Sequence, residues 1–209
     1  LCKSGASVAH VMPAHQFPTG VVMSAAHRRD LLNWSRADEA RAFSGAKGGE
    51  HCGRFIVEDD YDAEFRMSGR PIAPLASVDV AGRVIYLNSF TKSLGAAFRI
   101  AYMALPEDLA AQFELNLGFY SNTVSPLEQL ALARFIEQGH YERHVNRLRT
   151  HAKRTQDAVV EKLKTDCASG SLAFTGLDGG FHFSVRLEAK GTLSYADVER
   201  DFLRSAHEC

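Results

Sequence analysis

The chain has 209 residues, 45% hydrophobic and 23% charged, with a formal net charge of -1. That balance describes one large or two modest globular domains, excludes wholesale disorder, and argues against a surface given over wholly to nucleic acid. No apolar run is long enough to span a membrane, and Cys2, Cys52, Cys167 and Cys209 lack metal-ligand spacing, so four reduced thiols in a cytosolic protein are expected. Residue 1 is leucine rather than methionine, and Asp201 to Cys209 reads as an unfinished amphipathic helix, so a fragment is expected.

In chain order, Val8 to Met12 reads as a strand stopped by the turn Pro13-Ala-His15-Gln16-Phe17-Pro18-Thr19-Gly20. His15 and Gln16 fall at the strand's exit, where they serve either as ligand contacts or as a hydrogen-bonded turn. Ser24 can cap a helix running to about Trp34, with Leu31, Leu32 and Trp34 on its apolar side. Ala37 to Gly53 is small and polar, fitting a surface excursion. Arg54 to Val57 is a short buried strand that runs directly into Glu58, Asp59, Asp60, Tyr61 and Asp62. Four acids within five positions repel one another unless a cation or ligand offsets them; otherwise they form a solvated acidic turn. No histidine cluster accompanies them in sequence, so no metal ligand set is assigned.

After the proline-stiffened connector Gly69 to Pro74, Val84 to Leu87 and Arg99 to Leu105 repeat the pattern of strands buried in a parallel sheet. Between them lies a loop with one lysine, Lys92, flanked by Ser89, Thr91 and Ser93. In open α/β folds ligands bind beyond the carboxyl ends of strands, which puts this loop at a cleft. Beyond Pro106 the pattern turns helical. Pro126 to Ile136 marks one helix ending near Gly139, and Val145 to Leu163 marks a longer one. The longer helix carries Arg147, Arg149, Lys153, Arg154, Lys162 and Lys164 on its polar side, either a solvated face or a nucleic-acid contact. Ser171 to Thr175 and Phe181 to Arg186 read as strands, followed by a helix from about Tyr195. This order suggests two domains.

A lysine on one strand-end loop, an Asp-x-Tyr pair on another, a His-Gln-x-Pro-Thr-Gly turn on a third and an arginine seven positions past the lysine suit pyridoxal-phosphate chemistry. A lysine can form an imine with an aldehyde cofactor, and a carboxylate facing the pyridine nitrogen keeps the ring an electron sink. The chain resembles the aminotransferase superfamily of the type I pyridoxal-phosphate fold, and more closely the aminotransferase-like domain of MocR-type regulators in the GntR family. The motifs carrying this resemblance are His15-Gln-Phe-Pro-Thr-Gly20, Glu58-Asp-Asp-Tyr-Asp-Ala-Glu-Phe65, Gly69-Arg-Pro71, Val84-Ile-Tyr-Leu87, Ser89-Phe-Thr-Lys92, Phe98-Arg-Ile-Ala-Tyr102 and Gly139-His-Tyr-Glu-Arg-His144. Their order and spacing span most of the chain.

The resemblance implies a three-layer α/β large domain, its second half being residues 1–142, and the start of a small α+β domain at 143–209. It implies that Lys92 carries the cofactor, Asp59 pairs with the pyridine nitrogen, Tyr61 bonds the ring hydroxyl, and Ser89, Thr91 and Arg99 hold the phosphate. Phe17 stands where ordinary aminotransferases carry asparagine, so Gln16 or His15 takes over contact with the ring hydroxyl. A phosphate-binding glycine turn, a ring-stacking aromatic and a substrate-carboxylate arginine, all implied by the resemblance, are not in this stretch. The expected function is a regulator's effector domain that senses pyridoxal phosphate or an amino compound. Such a domain is expected to form a homodimer and to meet DNA only through a module outside this sequence. The alternative is an amino-acid transaminase.

Overall fold

The computed structural model describes residues 5–37, 53–69, 72–166, 170–189, 196, 199–200 and 203–204, and places four strands in one mixed sheet. Strand β1 (Val8–Val11) pairs in parallel with β2 (Phe55–Asp59), and β2 in parallel with β3 (Val84–Ser89). The fourth strand, β4 (Ala101–Ala104), runs antiparallel to β3, with Ser89 opposite Ala101 and Tyr86 opposite Ala104. This departs from the parallel sheet expected for Arg99 to Leu105. Only 11 residues separate β3 from β4, between Ser89 and Ala101. A parallel return needs a crossover of a dozen or more residues, usually with a helix of its own, so this chain turns back instead. All four residues of β4 are exposed at the sheet's edge.

Helix α1 (Ala25–Arg36) covers the sheet, and its start follows from one side chain: Ser24 Oγ accepts the His27 amide at 3.2 Å. Leu31, Leu32 and Trp34 of α1 pack with Ala9, Ile56, Val84 and Leu75 as the core, Leu75 coming from the one-turn helix α2 (Leu75–Val78). Asp79 then shapes the entry to β3, its carboxylate accepting from the amides of Ala81 and Val84 at 3.0 and 2.9 Å. The expected excursion from Ala37 to Gly53 lies almost wholly outside the described residues.

Beyond the sheet come α4 (Glu107–Leu117), α5 (Pro126–Glu137) and the 27-residue α6 (His140–Asp166), with the one-turn α3 (Thr91–Leu94) before β4. The basic side of α6 is partly structural: Arg149 donates from Nε and Nη2 to the Glu64 carbonyl at 2.9 and 2.6 Å, and Lys153 pairs with Asp157. A two-stranded antiparallel sheet, β5 (Gly170–Thr175) with β6 (Ser184–Ala189), follows. Its connecting loop docks on the first sheet's mouth, where Gly180 N donates to Phe65 O at 2.8 Å and Met67 N to Asp178 O at 2.8 Å. The helix expected from Tyr195 falls largely outside the described residues. Among the described residues no helix is long and apolar enough to cross a membrane.

Candidate active site

Because β1, β2 and β3 are parallel, their carboxyl ends lie on one edge of the sheet. The segments leaving them are the His15-Gln16 turn, the acidic turn after Asp59, and α3 with Lys92. The antiparallel β4 starts from that edge, bringing Arg99 to it. All the site residues expected from the sequence therefore share one rim, although they span 85 positions from His15 to Arg99.

Lys92 and Arg99 are exposed, and neither makes a hydrogen bond or ion pair among the described residues. Gly95, at φ 95°, turns the chain between them, Phe90 N donates to Ile100 O at 2.9 Å, and Thr91 Oγ1 donates to Phe98 O at 3.3 Å. Ser93, next to Lys92, is buried and held from behind by α6. His144 Nε2 donates to the Ser93 carbonyl at 2.8 Å, and Tyr141 Oη lies 3.0 Å from Ser93 Oγ. Phe90 adds an edge-on ring contact with Tyr141. The lysine thus stands on a turn braced at both ends and keeps a free amine.

The acids at the end of β2 and just beyond it do not form a solvated turn, for each has its own partner. Glu58, 1% exposed, accepts the amides of Leu75 and Ala76 at 2.8 and 2.9 Å, capping α2 where Pro74 offers no side-chain acceptor. Burial raises its carboxyl above the ordinary range despite those two bonds. Asp59 faces the rim, with Oδ2 3.3 Å from His10 Nε2. Asp60 points to the opposite face, accepts Tyr86 Oη at 2.9 Å, and is pushed up to about 6, chiefly by burial. Glu64 is held by Asn88 Nδ2 and Tyr141 Oη at 3.3 and 3.2 Å, and burial raises it too. Alternation along the strand explains the split between Asp59 and Asp60.

Tyr61 Oη donates to the His15 carbonyl at 3.1 Å, and its phenol is raised chiefly by burial. The His15 side chain is 3% exposed, with Nδ1 2.8 Å from Asp62 Oδ2, so its ring is engaged with that carboxylate. Gln16 bonds the Phe17 carbonyl and Thr19 Oγ1. It also lines, with His10, Met12 and Met23, a cavity of about 710 Å³ along the free edge of β1. His10 and Asp62 are not site candidates on sequence grounds: a histidine inside a short strand and the last of four acids carry no signal until pairing sets their neighbours.

The donor set fits a phosphorylated pyridine aldehyde: a free lysine amine, a free arginine, the hydroxyls of Ser89 and Thr91, and a carboxylate beside a tyrosine on one rim. The chain resembles solved structures of this kind. Kynurenine aminotransferase from Pyrococcus horikoshii, in complex with PMP, superposes with a TM-score of 0.68 at 28% identity, over 83% of this chain and 39% of the enzyme. LysN, the α-aminoadipate aminotransferase of Thermus thermophilus, complexed with N-(5'-phosphopyridoxyl)-L-leucine, does so with a TM-score of 0.63 at 25% identity, over 90% of this chain and 44% of the enzyme. The HTH-type transcriptional regulator YhdI of Bacillus subtilis is 36% identical over 178 residues, covering 85% of this chain and 35% of the regulator. The probable rhizopine catabolism regulatory protein MocR of Rhizobium meliloti is 36% identical over 139 residues, 66% of this chain and 25% of that protein. The chain therefore spans only about a quarter to a third of the length of these two regulators. The model of aminotransferase class I and II matches residues 18–208, nearly the whole sequence, and with the strand-end lysine and the shared fold this places the chain in the class I and II aminotransferase family.

Proposed function

We propose that this chain is the pyridoxal-phosphate-binding, aminotransferase-like effector domain of a MocR-type regulator of the GntR family, sensing the cofactor or an amino compound. One observation carries the reading. A free lysine stands on the rim of a class I and II aminotransferase sheet, in a chain that is 36% identical to regulators. Residues 1–142 are the second half of the large domain and 143–209 the start of the small one. The protein is a cytoplasmic homodimer, and DNA is met through a separate module.

Lys92 holds the cofactor covalently through Nζ, and its free amine suits that role. Asp59, steadied by His10, keeps the pyridine nitrogen protonated. Tyr61 meets the ring hydroxyl, with Gln16 beside it, and Ser89, Thr91 and Arg99 take the phosphate. When bound, the group supplies an electron sink for charge developing at a substrate's α-carbon. The Lys92 amine would also be the group to accept or return a proton at the substrate's α-carbon.

The second reading, an amino-acid aminotransferase, is favoured by the aromatic-amino-acid aminotransferase 1 of Thermococcus litoralis, 27% identical over 83% of this chain. The test uses the full-length protein. Borohydride should fix the cofactor to the Lys92 peptide, and Lys92→Ala should abolish both label and colour. Salt-sensitive binding to a promoter near its own gene supports the regulator. Turnover of an amino acid with a keto acid at roughly 1 to 1,000 per second, with no upstream DNA-binding domain, overturns it.

A further inference from the structure

Where the β5–β6 connection meets the sheet's mouth, three side chains far apart in sequence converge: His15 after β1, Asp62 after β2, and His182 just before β6. One ligand atom from each lies within 4.8 Å of the others. His15 and Asp62 are each 3% exposed, with Nδ1 and Oδ2 2.8 Å apart, and the His15 and His182 rings lie 4.2 Å between centroids. A plain His–Asp hydrogen bond explains only one pair of atoms. It leaves Nε2 of His182 buried with no partner among the described residues, whereas buried polar groups are nearly always bonded.

We propose that His15, Asp62 and His182 form a site for a divalent transition-metal ion, zinc first, that clamps the β5–β6 connection to the mouth of the parallel sheet. Two imidazoles and one carboxylate are a zinc donor set that leaves a fourth position open. At Zn–N and Zn–O lengths of about 2.0–2.1 Å, tetrahedral ligand atoms sit roughly 3.3 Å apart. The His15–Asp62 pair must therefore open by about half an ångström while the third ligand atom, within 4.8 Å of the others, draws in, and the proton the pair shares leaves to solvent. Gly180, at φ 69°, passes directly against both side chains, where a Cβ would collide with Asp62 Oδ2 and His15 Nδ1. The clamp thus closes against backbone. Lys92 lies near enough for its charge to be felt at His182. An ion here would add positive charge in the neighbourhood of Lys92, a second input to the same rim.

The test is made on full-length protein stripped with chelator and free of cofactor, so its outcome does not depend on the reading of Lys92. Zn2+ uptake is counted by elemental analysis and affinity is measured by competition with a chelating dye. Co2+ serves as the spectroscopic probe. The wild type should take up one equivalent of Zn2+ per chain that His182→Gln lacks or binds about 100-fold more weakly, a loss at or above the roughly 10–100-fold that a supporting outer group costs. Co2+ should give the strong visible bands of a tetrahedral site, and these should vanish in His15→Gln. If His15→Gln does not fold, His182→Gln, altered at the partly exposed member, decides alone. No uptake by wild type, or equal uptake by wild type and His182→Gln, overturns the proposal.

Discussion

Asp59 and Asp60 are neighbours of identical chemistry whose replacements should fail in different ways. Asp59 lies on the rim face with His10, its side chain 27% exposed, whereas Asp60 is 4% exposed on the other face and accepts Tyr86 Oη. A charge-assisted hydrogen bond to a protonated pyridine contributes about 1.5–3 kcal/mol, so Asp59→Ala should weaken pyridoxal-phosphate binding by roughly 10- to 150-fold. Its effect on stability should be slight, since the His10 contact is long and open to solvent. Asp60→Ala strands the Tyr86 hydroxyl, costing about 1–3 kcal/mol, partly offset because a carboxyl that burial pushes up to about 6 is itself costly to keep ionised. Its cofactor affinity should stay within about 3-fold of wild type, a difference below 1 kcal/mol. Absorbance titration of the full-length protein gives the first quantity and urea midpoints give the second. Cofactor binding crippled by Asp60→Ala and spared by Asp59→Ala would refute the assignment of the two faces.

Glu58 should make stability depend on pH with a sign opposite to that of an ordinary paired carboxylate. Its folded-state value is raised by burial, so its contribution is fully present below the unfolded value of about 4.3 and is lost as pH rises through the folded value. Glu58→Gln should remove that slope from urea midpoints measured across the range, while Glu58→Ala, which strands the Leu75 and Ala76 amides, should cost about 2–4 kcal/mol at neutral pH. Gly180→Ala should destabilise by at least about 2 kcal/mol, because the position combines a positive φ with direct contact against Asp62 and His15; a thermal melt unchanged from wild type would contradict the docking of the β5–β6 connection. Arg149→Ala should lower the urea midpoint by the equivalent of about 1–3 kcal/mol through loss of two bonds to the Glu64 carbonyl, and should leave DNA affinity of the full-length protein unchanged.

The strands β1, β2 and β3, the Ser24 cap and the helices α5 and α6 were legible in the sequence because their signals are local. An apolar run between turn residues, a serine ahead of a periodic helix and a proline at a helix start act through near neighbours. The same holds for Lys92, Asp59 and Tyr61 as candidates, since a strand exit is itself a local feature and the parallel order then brings the exits together. Three things were decided only by tertiary structure. The reversal of β4 depends on how far a short connection can reach, not on the composition of the strand. The fate of the acids at and beyond the end of β2 depends on what lies across each face: Glu58 meets the α2 amides, Asp60 meets Tyr86, Asp62 meets His15, and none of these partners is near in sequence. The gathering of His15, Asp62 and His182 spans 168 positions of chain and exists only because the β5–β6 connection docks on the sheet's mouth. Side-chain type and local period are written along the chain, whereas burial and partnership arise from contacts between segments, which no local pattern encodes.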